Sequence, residues 1–369
     1  MVAAGSDEAV VQIVHEALWK QHDADNVIAA GQLDTRVSEL VAEVAPLATE
    51  ARRQAIVSEV QARIDGLGPL HEFGADSSVT EIMVNGGGDV WVERAGQLVD
   101  TGRSVDADEV HHLLRRLAAQ SGRRIDLSTP SVDVRLADGS RLHGIIPPLA
   151  VDGPCVTIRR FSQAELTLPD LCSPEAADVL SSAVANLATI IVAGATSSGK
   201  TTLLNALADG IGDDTRIITI EDAAELQLGG GHVVRLETRH ATEAVDAVGL
   251  RELVRHALRM RPDRIICGEM RGAEALDLVQ AMNTGHRGSM STVHANTPVD
   301  ALRRIETMML LADADLPLPA IREQLAACID LVVMMARRPD GRRCVVSISS
   351  VPDEVGQGWA LQTEYEVGV

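Results

Sequence analysis

The chain has 369 residues, a length that predicts two or three domains, and 46% of its residues are hydrophobic, which is enough for sizeable cores. Its formal net charge of -20 argues against sequence-independent binding of nucleic acid, because such binding requires a basic face that replaces counterions. We therefore expect no direct nucleic-acid partner.

The N-terminus and the cysteines indicate where the protein works. The first ten residues, MVAAGSDEAV, contain no basic stretch followed by a long apolar core, so a signal peptide is not predicted. No apolar stretch approaches the roughly 18 residues of a spanning helix. The five cysteines form no C-x-x-C pair, which favours reduced thiols over a zinc knuckle or a redox pair. We expect a cytoplasmic protein whose contact with a membrane is peripheral only.

The first third of the chain divides into two predicted regions. Residues 1–68 carry apolar residues at helical spacing up to the helix-breaking run DGLGP, and they are predicted as an N-terminal helical region. Residues 69–161 are predicted as a small α+β domain with two β-hairpins. Asp106 and Glu109 have the spacing of a capping box and predict a helix between these hairpins.

The rest of the chain predicts an α/β domain. Residues 162–172 are polar, contain Pro169 and are predicted as a linker. Over residues 173–369, apolar strands alternate with helices, which is typical of a mostly parallel sheet with helices on both faces. The predicted strands of this domain are Thr189–Ala195, Arg216–Ile220, Val233–Leu236, Arg264–Cys267 and Ser289–Val293.

The most specific motif is G-x-x-x-x-G-K-[ST] at residues 194–201. A predicted strand precedes it and a predicted helix follows it, as in phosphate loops, where backbone N–H groups and a helix N-terminus hold the phosphates of a nucleotide. Lys200 is one of only two lysines in a chain that otherwise uses arginine, and a compact ammonium suits this position better than a guanidinium. Thr201 is expected to bind Mg²⁺. The candidate nucleotide-binding residues are Gly194, Ala195, Thr196, Ser197, Ser198, Gly199, Lys200, Thr201 and Thr202.

Acidic residues follow two other predicted strands. Glu269 ends a Walker-B-like strand in which the usual aspartate is replaced by Gly268, so Glu269 is expected to serve Mg²⁺ or water alone. Glu221, Asp222 and Glu225 follow a neighbouring strand, and one of them can orient or deprotonate an attacking water. Charged turns and a solvated strand end are the plainer interpretations. The shared position at the carboxyl edge of a parallel sheet favours function.

Two histidines bracket the last predicted strand of this group. His286 and His294 have too few neighbouring ligands for a zinc site. A sensor of the γ-phosphate or a polar role at the strand end fits them better, and a purely structural role remains an alternative for each.

Five segments together resemble the type II/type IV secretion ATPase superfamily, with the tight-adherence (Flp) pilus-assembly branch as the closest match. The resemblance covers about residues 70–340. It rests on the segments TSSGKTT, ITIEDAAEL, HVVRLETR, LRMRPDRIICGEMRGAEALDLVQAMNTGH and GSMSTVHANTP.

The resemblance implies a RecA-like motor domain behind a small PAS-like α+β domain. It also assigns roles to the motif residues. Glu225 is implied as the general base, Glu269 as the Walker B acid that shares Mg²⁺ with Thr201, and His294 as a catalytic residue of the histidine box. Nucleotide contacts are implied for Glu221, Asp222 and His286. The proline that is usual after Asp222 in this family is an alanine here.

Two arginines of the preceding domain, Arg141 and Arg159, resemble those that close over the phosphates in this family. Both lie on predicted strands just before the linker. Arg135 and Arg160 are alternatives for the same roles, because neighbouring residues of a strand point to opposite faces.

The resemblance further implies a homo-hexamer that hydrolyses ATP with Mg²⁺ and acts on an inner-membrane platform protein to assemble a pilus or secrete protein. The expected location is the cytoplasm, at the inner face of the cytoplasmic membrane. One alternative is a type IV secretion or conjugation ATPase that moves DNA or effectors. Another is a nucleotide-dependent scaffold that does not hydrolyse ATP, which the intact motif residues disfavour. A small GTPase is disfavoured because no N-K-x-D motif occurs.

Overall fold

The computed structural model describes residues 9–11, 13–14, 17–18, 30–160, 166–239, 245–312, 315–338, 340–353 and 358–367. By contacts, the chain divides into two compact units, Met1–Ser162 and Gln163–Val369. Most of the predicted helical pattern before residue 30, the last residue of the predicted α+β domain and residues 162–165 of the predicted linker lie outside the described residues.

The N-terminal unit is built on an antiparallel sheet. Among the described residues, six strands pair in the order β3-β2-β1-β6-β5-β4. The helix Ala107–Gln120 packs on this sheet so closely that a Cβ at Gly144 would lie 2.2 Å from Leu114 Cδ2. The strands are β1 (Val79–Val84), β2 (Asp89–Arg94), β3 (Gln97–Ser104), β4 (Ser131–Arg135), β5 (Arg141–Ile145) and β6 (Cys155–Arg159). The helices are Ala30–Val44, Glu50–Asp65, His71–Ala75 and Ala107–Gln120.

The C-terminal unit is built on a mixed sheet. In the part of the chain that is described, eight strands pair in the order β14-β13-β12-β7-β11-β10-β8-β9. The strands from β12 to β9 in this order run parallel, and β13 and β14 complete the sheet in antiparallel pairing. The strands are β7 (Ile190–Gly194), β8 (Ile217–Glu221), β9 (Val233–Glu237), β10 (Arg264–Cys267), β11 (Met290–Val293), β12 (Leu331–Arg337), β13 (Arg343–Ser350) and β14 (Gln362–Glu366).

Helices cover both faces of this second sheet, because its strands are apolar on both sides. Within β7, Ile191 and Ala193 join one apolar cluster, whereas Ile190 and Val192 join another. This is the burial expected of parallel strands between two helical layers. The helices are Leu168–Leu171, Pro174–Ala185, Lys200–Ala208, Leu250–Ala257, Glu274–Asn283, Pro298–Leu310 and Leu318–Cys328.

The predicted strands of the C-terminal unit match the observed ones within a residue or two. A difference lies in the predicted linker, which contains the short helix Leu168–Leu171 with Leu171 buried. Thr167 and Asp170 explain it, because the carboxylate of Asp170 accepts hydrogen bonds from the backbone N–H and the hydroxyl of Thr167. No helix within the described ranges is long and apolar enough to span a bilayer.

Candidate active site

The phosphate loop begins where β7 ends, and its backbone takes a path that requires glycine. Every residue of β7 is buried, so the strand fixes the position of Gly194. A Cβ at Gly194 would lie 2.3 Å from the backbone oxygen of Met335 on β12. Gly199 has a φ of +96° and starts the helix Lys200–Ala208. Both glycines are needed for the close turns that let backbone N–H groups converge on phosphates.

Lys200 is held inside this loop. Its Nζ lies 3.1 Å from the oxygen of Gly194, 2.8 Å from the oxygen of Ala195 and 3.3 Å from Nδ1 of His294. Only 8% of the residue is exposed. An ammonium in this position can contact phosphate oxygens that are bound by the backbone of the same loop.

Ser198 and Thr201 indicate that the loop fits a nucleotide with a metal ion. The Oγ of Ser198 is buried and has no hydrogen-bond partner, which is rare for a buried hydroxyl unless a ligand or water satisfies it. Thr201 lies in the first turn of the loop helix, where a hydroxyl can bind Mg²⁺ beside phosphates. Among the described residues, no group of three or more His, Cys, Asp or Glu side chains is placed to hold a metal ion.

The acidic residues lie at the same edge of the sheet as the loop. The parallel strands β8 and β10 are neighbours, with Ile220 opposite Cys267. Asp222 and Glu269 follow the carboxyl ends of these two strands. The sequence prediction that these acids emerge at one sheet edge agrees with this arrangement, although their chemical roles stay a proposal.

A continuous row of polar contacts joins these acids to the phosphate loop. Nε2 of His294 lies 3.1 Å from Oε1 of Glu269, and the other oxygen of Glu269 lies 2.7 Å from Arg271. Arg271 in turn lies 3.2 Å from the carboxylate of Asp222. With the contact between Lys200 and His294, the row connects the phosphate loop, the histidine after β11, the acid after β10 and the acid after β8.

The surroundings of His294 shift its pKa below the ordinary value. Burial lowers its pKa, and the nearby Lys200 ammonium lowers it further. A neutral imidazole that donates from Nε2 to Glu269 has a free lone pair on Nδ1, which accepts from Lys200. The tautomer therefore follows from its two neighbours.

Glu221 differs from the other acids because it is buried. Its Oε1 accepts hydrogen bonds from the backbone N–H groups of Glu225 and Leu226, both at 2.9 Å, and its Oε2 has no partner. Burial raises the pKa of this carboxyl to about 7, although the two backbone hydrogen bonds act in the opposite direction. Glu221 therefore braces the turn that carries Glu225 from inside.

Other contacts fix the same turn from outside. Arg235 on β9 donates to the oxygen of Ala224 at 2.9 Å, and Glu237 accepts from the backbone N–H of Ala224 at 3.2 Å. Asn205 of the phosphate-loop helix accepts from the backbone N–H of Gln227 at 3.0 Å. The acidic turn is thus connected directly to the helix that begins the loop.

Not every predicted residue joins this cluster. His286 precedes β11, so it lies at the end of that strand opposite His294, and its Nδ1 is 3.0 Å from the oxygen of Ala281. Conversely, Arg271 lies in the cluster and the sequence analysis did not select it. The signal in the sequence that could have indicated Arg271 is its position two residues after Glu269.

The predicted arginines of the N-terminal unit are direct neighbours. Arg141 on β5 lies opposite Arg159 on β6, and Arg135 on β4 lies opposite Arg141. Arg160 is occupied differently, because its guanidinium donates to the backbone oxygens of Asp76 and Val79. Because Arg160 is engaged in these contacts, Arg135 remains the alternative to Arg141 and Arg159.

Comparisons with known proteins identify relatives over most of the chain. A family model described as type II/IV secretion system protein matches residues 63–356. A Mycobacterium tuberculosis protein, provisionally named as a conjugal transfer protein, is 38% identical over 315 residues, which cover 82% of this chain and 89% of the relative. The type IV secretion system protein PtlH of Bordetella pertussis is 35% identical over 323 residues, with 78% and 95% covered.

A solved structure shares the fold. The Legionella pneumophila ATPase DotB matches 80% of this chain and 81% of its own with a TM-score of 0.57 and 20% sequence identity. This likeness confirms the predicted α/β architecture of the RecA-like type. The family model covers most of the chain, and the M. tuberculosis relative is 38% identical over 89% of its own length. The chain therefore belongs to the type II/IV secretion system protein family.

Proposed function

We propose that the protein is an ATP-hydrolysing motor of a secretion or pilus-assembly system. The row of contacts from Lys200 through His294 to Glu269 supports this proposal most, because it joins a phosphate-binding cation to a strand-end acid. Such a pairing suits phosphoryl transfer, in which positioning and charge stabilisation do most of the catalytic work.

In the proposed reaction, the phosphate loop holds ATP, and Lys200 compensates the charge of its terminal phosphates. Mg²⁺, when bound through Thr201 and Glu269, partly by way of water, would draw charge from the phosphoryl oxygens. Glu225 takes a proton from the water that attacks the terminal phosphorus, and ADP leaves with the electrons of the broken bond. Asp222 contacts the nucleotide site from the same edge.

Arg141 and Arg159 are proposed to stabilise the charge of the transferred phosphoryl group. The motif resemblance supports this role, and the two residues lie opposite each other on neighbouring strands. Guanidinium groups also match phosphate geometry well.

The assembly proposed for this motor is a homo-hexamer that acts on an inner-membrane platform protein. Family membership supports it, and the motor would work at the inner face of the cytoplasmic membrane. The first candidate process is assembly of a Flp-type pilus, which the motif resemblance favours. The names of the relatives at 38% and 35% identity favour a second candidate, a conjugation or type IV secretion motor.

Steady-state ATP hydrolysis at increasing protein concentration tests the proposal, with Glu225→Gln as the matched variant. A rate per subunit that rises cooperatively with concentration, and vanishes in Glu225→Gln while ATP binding persists, is the expected result. Normal turnover in Glu225→Gln would move the base role to Glu221 or Glu269. ATP binding without turnover by the unaltered chain, even with platform protein added, would favour a scaffold instead.

The two candidate processes separate in the same assay. Stimulation of hydrolysis by a purified Flp platform protein supports pilus assembly. Stimulation by single-stranded DNA or by a type IV secretion partner supports the second candidate.

A further inference from the structure

Asp222 and Glu269 form a pair of like charges in the candidate site. Both follow the carboxyl ends of the neighbouring strands β8 and β10, whose last paired positions are Ile220 and Cys267. The backbone N–H of Gly268 donates to the oxygen of Ile220 at 2.9 Å, so the ladder holds up to the residue before Glu269. Adjacent carboxylates on neighbouring strands repel each other unless a cation offsets their charge.

Arg271 provides that cation with two separate nitrogens. One Nη lies 2.7 Å from Oε2 of Glu269, and the other lies 3.2 Å from Oδ2 of Asp222. The planar guanidinium can hold two acceptors at once, which an ammonium on a flexible stem does less well. Arg271 therefore bridges the acid of one strand and the acid of the next.

The backbone of Arg271 is anchored beside this bridge. The carboxylate of Glu274, a buried residue, accepts from the backbone N–H groups of Arg271 at 2.5 Å and of Gly272 at 2.7 Å. These bonds fix the start of the helix Glu274–Asn283 and the point from which the Arg271 side chain extends. Arg271 is thus held by contacts both at its backbone and at its guanidinium group.

The outer part of the bridge is open to solvent. Arg271 is 56% exposed and Asp222 is 38% exposed, and ion pairs of this exposure generally add little to stability. Its effect is on the position of Glu269. With Oε2 bound to Arg271, Oε1 is turned to His294, whose other nitrogen contacts Lys200.

We propose that Arg271 is a positioning residue that holds Asp222 and Glu269 together and keeps Glu269 directed at the phosphate loop. The inference rests on the proposed function of this site as the place of ATP hydrolysis. It adds a residue that acts through two acids.

Hydrolysis by the full chain with Arg271→Ala and Arg271→Lys tests this inference. We expect kcat to fall by about 10- to 100-fold in Arg271→Ala, since misplaced catalytic groups cost factors of this size, with little change in the KM for ATP. Arg271→Lys should recover part of the rate, and guanidinium chloride at millimolar concentration should partly rescue Arg271→Ala. Arg303→Ala is the matched control, because Arg303 forms a similarly exposed contact 3.9 Å from Asp300.

The outcomes are distinguishable from failure of the proposed function. If Lys200→Ala hydrolyses ATP normally, the proposed function itself is wrong. If Lys200→Ala is inactive but Arg271→Ala matches the unaltered chain, only the role of Arg271 is overturned. A parallel loss of ATP binding in Arg271→Ala, with unchanged circular dichroism, would make Arg271 a nucleotide contact and would also overturn the positioning role.

Discussion

Gly268 lies against Glu221, and the absence of a side chain at position 268 gives the buried carboxylate its room. A Cβ at Gly268 would lie 2.9 Å from Glu221 Cγ and 3.3 Å from its Oε1. This relationship explains why the usual Walker B aspartate has no counterpart at position 268. Glu221, on the neighbouring strand β8, occupies the space beside Gly268.

The first prediction concerns Gly268→Ala. The added methyl group must displace Glu221, and overpacking of this kind costs about 1–3 kcal/mol. We expect a lower free energy of unfolding in urea and slower ATP hydrolysis, because Glu221 braces the turn that carries Glu225. Gly231→Ala is the control, since nothing lies within 4 Å of a Cβ at Gly231. Equal unfolding of both variants would contradict the close packing of Gly268 on Glu221.

The second prediction concerns the pH dependence of stability. Burial raises the pKa of Glu221 from 4.5 to about 7, so between these values the folded protein binds more protons than the unfolded chain. The free energy of unfolding should therefore fall as pH rises through this range, by up to about 3 kcal/mol, and level off above pH 7.

Glu221→Gln should flatten that dependence, because an amide keeps an oxygen acceptor and does not ionise. Urea unfolding at pH 5 and pH 8 measures the difference for each protein. Glu366→Gln, at an exposed position, should retain the full dependence. A slope that is unchanged in Glu221→Gln would assign the titration to another group.

The third prediction concerns Lys200. Removal of the ammonium in Lys200→Ala should abolish hydrolysis, a loss of at least about 100-fold, because a preorganised charge at the phosphates is removed. Nucleotide binding, measured by calorimetry with ATP, should weaken as well. Lys200→Arg should also fail, since a planar guanidinium is too bulky for contacts at 2.8 Å and 3.1 Å with the loop carbonyls. Full activity in either variant would remove Lys200 from the active site.

The fourth prediction concerns the paired arginines of the N-terminal unit. Arg141→Ala and Arg159→Ala should each lower hydrolysis by about tenfold or more, because each removes a charge proposed to stabilise the transition state. Circular dichroism should remain unchanged, since Arg159 is exposed and Arg141 is only half-buried. Arg103→Ala, which removes an exposed contact to Glu72, is the control. An unaltered rate in both variants would contradict the role of this pair and would leave Arg135 as the candidate.

The phosphate loop and the parallel strands were predictable because local signals coincide there. The glycines, the lysine and the apolar run before Gly194 each indicate the same turn from strand to helix. The short helix Leu168–Leu171 had a signal too, the spacing of Thr167 and Asp170, but Pro169 and polar neighbours outweighed it. Local patterns therefore account for most of the C-terminal unit.

The rest depends on how distant segments align. The sequence presents Glu221 and Asp222 as similar neighbours, yet Glu221 is buried and Asp222 is half-buried at the sheet edge. The bridge made by Arg271 arises only from the register of two strands that lie far apart in the chain. His286 and His294 look like a pair in the sequence, although the strand Met290–Val293 separates them in the fold.

The alignment of β8 with β10 also limits how the chain can vary in length. Insertion of one residue within β8 would advance Asp222 by about 3.3 Å along the strand and turn it to the opposite face of the sheet. We expect substitutions at exposed positions of this edge to leave the ladder intact, whereas a single insertion or deletion within either strand should move the two acids apart. We therefore expect the distance in residues from the start of each strand to its acid to be fixed, while the connections between strands are free to lengthen.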